Sequence, residues 1–72
     1  MMTNKTALDL GNIAARGGSL EVDGSRYTPL DLGNIAARLS AGATLKIHNS
    51  DRLTALDAGN IAARNPGKVI FC

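Results

Sequence analysis

Nine residues, Leu8-Asp9-Leu10-Gly11-Asn12-Ile13-Ala14-Ala15-Arg16, return unchanged from Leu30 to Arg38 and again from Leu56 to Arg64, where only Ala58 departs from the pattern. The offsets are 22 and 26 residues, so the variable length lies between the copies and not inside them. A short apolar alternation follows each copy: Leu20-Glu21-Val22, Leu45-Lys46-Ile47 and Val69-Ile70-Phe71. A chain built this way buries its apolar faces by stacking one unit on the next. The boundaries fall at about 6–23, 28–49 and 54–72, within a single domain spanning 1–72.

Each copy opens with a helix start. Thr6, Thr28 and Thr54 are placed to cap, with Asp9, Asp31 and Asp57 three residues on in the reciprocal position of a capping box. Pro29 falls at the first helical position, and Tyr27 with Leu32 forms a hydrophobic staple pair. Leu53 has only Ala58 as its staple partner, so the third start is looser. These signals predict helices near 7–15, 29–38 and 55–64, the second continuing to about Ala41 before Gly42 ends it. Gly17-Gly18 and Pro66-Gly67 stop the other two.

At 100° per residue, Asp9, Asn12 and Arg16 form a narrow polar stripe, with Arg16 one turn beyond Asn12. The remaining residues, Leu8 among them, cover more apolar surface than one sheet contact needs. Helices packed side by side over a sheet explain the excess, and Gly11 and Ala14 permit close approach.

Period-two alternation gives strands with one covered and one wet face: Leu20 and Val22 oppose Glu21 and Asp23, and Leu45 and Ile47 oppose Lys46 and His48. Helical connections between strands suit parallel pairing with right-handed crossovers. The expected fold is therefore α/β: a short right-handed solenoid of three helix–strand repeats, with a parallel three-stranded sheet and helices on one face. Asp23-Gly24 supports a rival, a local hairpin in which Ser19 to Val22 folds back on Ser25 to Thr28.

Leu45, Ile47 and Asn49, followed by Leu53 and a helix from Ala55, resemble the leucine-rich-repeat pattern; the first unit carries Gly24 at the asparagine position. The D-x-G-N-I-A-A-R core is similar to short helix–strand repeats of small bacterial proteins of unassigned activity. The leucine-rich-repeat resemblance implies ligand binding by the exposed strand face, and neither resemblance brings a catalytic residue.

A net charge of +2 is too small to imply a nucleic-acid partner by itself. One cysteine excludes an internal disulfide, and Met1-Met2-Thr3-Asn4-Lys5 lacks signal-peptide form. No stretch approaches the roughly 18 apolar residues of a spanning helix. A soluble cytoplasmic protein is the expectation. Capping accounts for the three aspartates, which leaves no metal site, and neither a cofactor nor a catalytic residue is expected. His48 reads as a surface residue without a serine or cysteine partner, and Cys72 as a packing residue or a disulfide partner between chains.

Three surfaces remain as functional candidates. The wet strand face of Glu21, Asp23, Lys46, His48, Lys68 and Ile70 has mixed charge suited to a protein partner. Arg16, Arg38 and Arg64 form a regular stripe that is the alternative, a phosphate or nucleic-acid site. Val69, Ile70 and Phe71 form an apolar edge strand, whose unpaired backbone favours pairing with a second copy. The reading is thus a non-enzymatic protein-interaction or self-assembling module, with a closed dimer preferred over a filament.

Overall fold

A computed structural model describes residues 1–72, and its elements follow the repeats. Helices α1 (Ala7–Ala15), α2 (Pro29–Ala37) and α3 (Ala55–Ala63) alternate with strands β1 (Leu20–Asp23), β2 (Leu45–His48) and β3 (Val69–Phe71). The strands form one parallel sheet in the order β1-β2-β3, with Leu20 beside Leu45 and Leu45 beside Val69. The sheet is open, and the helices pack on one of its faces.

The helix starts use the expected devices. Thr6 Oγ1 accepts from Asp9 N at 3.1 Å while Asp9 Oδ2 accepts from Thr6 N at 3.2 Å, and Thr28 and Asp31 repeat the exchange. At α3 only half of the box forms, through Asp57 N to Thr54 Oγ1 at 3.1 Å. The second helix is shorter than the sequence suggests, ending at Ala37 rather than Ala41. Leu39 is buried below the helix end, and the Asn65 side chain donates to the carbonyls of Ala36 and Leu39 at 3.0 Å each. Those bonds satisfy carbonyls that a further helical turn would have used.

No hairpin forms after β1. Asp23 caps a single 3-10 turn over Gly24–Arg26 instead, accepting from Ser25 N at 2.9 Å. A similar turn, Ser50–Arg52, follows β2 after Asn49, which adopts a left-handed φ of 58°. Gly24 lies under that corner: a Cβ on it would stand 2.7 Å from Ile47 Cγ2 and 2.9 Å from the His48 carbonyl oxygen.

The core is a double row. Leu10, Leu32, Ile35 and Ile61 come down from the helices onto Val22, Leu45 and Ile47, and each is at most 1 % exposed. Every branched side chain removed from water in this way contributes about 1.5–3 kcal/mol. Ile13 differs from Ile35 and Ile61 in being only half-buried, because α1 packs against a helix on one side alone, that of α2. The segment before α1 also packs at this end of the molecule. Met2 makes a parallel bridge to Val22 through one hydrogen bond of 3.3 Å to the Glu21 carbonyl, and the Tyr27 hydroxyl donates to the Lys5 carbonyl at 2.7 Å.

Candidate functional site

Parallel register assembles the outer face of the sheet. Glu21, Lys46 and Ile70 fall in one cross-strand row, Asp23 lies beside His48, and Lys68 directly precedes β3. The sequence-predicted face is therefore contiguous, and Ile70 stands 47 % exposed within it.

His48 has the partners that sequence reasoning missed. Its Nε2 lies 2.8 Å from Glu21 Oε1, and its Nδ1 lies 3.6 Å from the Cys72 sulfur. The hydrogen bond from His48, with the charge of Lys46 next, holds the Glu21 carboxyl below its ordinary range. Carboxylate, imidazole and thiol thus form a line from β1 across β2 to the residue after β3. Glu21 and Cys72 meet opposite edges of the ring, so they do not converge on a common point where an ion could sit. No three His, Cys, Asp or Glu side chains gather as metal ligands anywhere in the chain. The arrangement orders the face, fixing the ring between two polar neighbours in a solvated setting.

Asp23 is fixed more firmly. Asn49 Nδ2 donates to Asp23 Oδ1 at 3.0 Å, and Ser25 donates its hydroxyl at 2.6 Å and its backbone N–H at 2.9 Å. Three donors favour the charged form, led by Asn49, and bring the Asp23 pKa down to about 2.

On the helical side, the arginines do not pair within their own helices. Arg38 reaches back to Asn12 of α1 at 3.4 Å, and Arg64 repeats this to Asn34 of α2 at 3.5 Å. Each thereby crosses the glycine of the preceding helix: the Arg38 Cδ and Nη1 lie 3.4 Å from where a Cβ of Gly11 would stand, and Arg64 lies likewise over Gly33. A Cβ at either glycine would stand at ordinary van der Waals distance from the crossing arginine. Asp9, Asp31 and Asp57 remain with their caps.

Leu8, Leu30 and Leu56 were expected to help cover the helix contacts. Instead they stand 69 %, 69 % and 72 % exposed, at the same position of each helix. The helices touch through Gly11, Ala14 and their counterparts, and the leucines project above that contact. Their signal was in the sequence: they lie about 60° from the glycine toward the polar asparagine side. Shallow grooves run beneath them, one lined by Leu8, Gly11, Asn34 and Arg38 and the next by Leu30, Gly33, Asn60 and Arg64.

No helix is long and apolar enough to cross a membrane. Comparison of the chain with protein families, curated proteins and solved structures finds no match.

Proposed function

We propose that this chain is a non-enzymatic protein-interaction module that also associates with itself. The observation that carries the reading is the row of Leu8, Leu30 and Leu56, each more than two-thirds exposed at the same place in three stacked helices. Single exposed leucines are ordinary on a protein surface, but a repeated row is a patch, and patches mark contact sites. The strand face adds a second surface, where Glu21, Asp23, Lys46, His48 and Lys68 mix both signs of charge around Ile70. Mixed charge with an apolar residue suits a protein better than a phosphate backbone.

The second reading is a phosphate or nucleic-acid module, favoured by the regular spacing of the exposed Arg16, Arg38 and Arg64. Against it, Arg38 and Arg64 already span neighbouring helices. The two readings separate in one experiment. Sedimentation of the protein over a wide concentration range, with thiol reductant, is run alone and with a DNA oligonucleotide at low and high salt. A mass that rises with protein concentration, and no salt-steep DNA complex, supports the first reading. A monomer at every concentration that binds DNA steeply with falling salt overturns it.

A further inference from the structure

The molecule contains the same helix–helix interface twice and leaves one half of it open at each end. Within the chain, the forward side of α1 offers Gly11 and Ala14, both buried by α2, and the backward side of α2 brings Ile35 and Arg38 to meet it. The contact of α2 with α3 repeats this, with Gly33 and Ala36 on one side and Ile61 and Arg64 on the other. The forward side of α3 then presents Gly59, which is exposed with nothing within 4 Å of where its Cβ would stand, beside a half-exposed Ala62. The backward side of α1 presents a half-exposed Ile13 and an exposed Arg16 that makes no hydrogen bond to a neighbouring helix.

We infer that α3 of one copy receives α1 of a second copy, head to tail, with Arg16 of the incoming chain crossing Gly59 toward Asn60. The occupant is a second copy because its α1 carries the sequence already seen docked on this surface twice. The chemistry agrees in direction. In both internal contacts the later helix donates through arginine and the earlier one accepts through asparagine, so the open ends are a donor and an acceptor rather than two like surfaces. The sheet extends in the same sense. Lys68 O and Cys72 N bond to β2, so the backbone groups of Val69 and Phe71 face the open edge. Only the Met2 bridge occupies the outer edge of β1, and β3 of the preceding copy takes its place, setting Val69 beside Leu20 as it is set beside Leu45 within the chain. Such a contact is heterologous and grows into chains or rings instead of closing as a two-fold dimer.

This inference rests on the self-association reading, and two exposed substitutions isolate it. Gly59→Leu fills the socket on α3, and Arg16→Ala removes the residue that fills it. Each variant alone, measured by sedimentation against wild type, is expected to associate about tenfold more weakly or worse. An equimolar mixture restores the lost contact, because one variant keeps a native α1 and the other a native α3, and it stops at two chains. Wild-type association that survives in both variants and dissolves in Ile70→Glu overturns the head-to-tail contact in favour of two-fold pairing of β3 edges, while the self-association reading stands. A wild-type chain that stays monomeric overturns both.

Discussion

Arg38 lies across the backbone of α1 at Gly11, its Cδ and Nη1 each 3.4 Å from the position a Cβ would take, and its guanidinium reaches Asn12 at 3.4 Å. One side chain from the end of α2 therefore spans two helices, touching the first at Gly11 and at Asn12. Because the motif repeats, so does the geometry.

The glycines should divide by what surrounds them. Gly59→Ala meets open space and gains helix propensity, so it is expected to stabilise the fold by up to about 1 kcal/mol. Gly24→Ala drives a Cβ to within 2.7 Å of Ile47 and 2.9 Å of a backbone oxygen. It should cost about 1–3 kcal/mol, the usual range for overpacking. Urea denaturation of both variants checks the contrast, and equal effects would remove the packing explanation.

Leucines at two places in the fold should likewise respond differently. Leu45→Ala empties a fully buried position under the helices and is expected to cost about 2–5 kcal/mol. Leu8→Ala, at 69 % exposure, should change stability by no more than about 0.5 kcal/mol. Thermal unfolding at low concentration, where self-association does not contribute, measures each.

The caps give a graded test. Thr28→Ala breaks a reciprocal box and is expected to cost about 1–2 kcal/mol, whereas Thr54→Ala removes a single bond and should cost less, about 0.5–1 kcal/mol. A reversed order in denaturant midpoints would contradict the observed difference in capping.

Asp23 predicts a pH response. Its folded pKa of about 2 lies below the ordinary 3.8, so the stability it contributes is complete above the ordinary value and is lost as pH falls through the window between the two. Asn49→Ala removes the largest cause, and an NMR titration of the Asp23 carboxyl should then move its midpoint upward toward 3.8. An unchanged midpoint would show that the Ser25 donors suffice alone.

How much of this was legible in the residues follows from the range of each interaction. Helix starts and strand faces were readable because their causes are local: Thr6 and Asp9 lie three residues apart, and Leu45 and Ile47 two. The end of α2 is not legible because Leu39 continues the apolar pattern, whereas Asn65, whose side chain bonds the carbonyls there, is 26 positions from Leu39. The partners of His48 are hidden for the same reason, since Glu21 and Cys72 reach it only through the parallel register. The reach of Arg38 to Asn12 is not legible either, because the two are 26 positions apart and Asn12 already has Arg16 one turn beyond it on the same helix.

The bonds from Asn65 to the carbonyls of Ala36 and Leu39 also have a direction in time. A ribosome delivers α2 before it delivers Asn65, so these two bonds form only once the third unit has been made. Arg64 arrives one residue earlier to cross Gly33. The middle unit of a growing chain is thus finished by the arrival of the one behind it, so the completion of each unit trails its synthesis by one repeat.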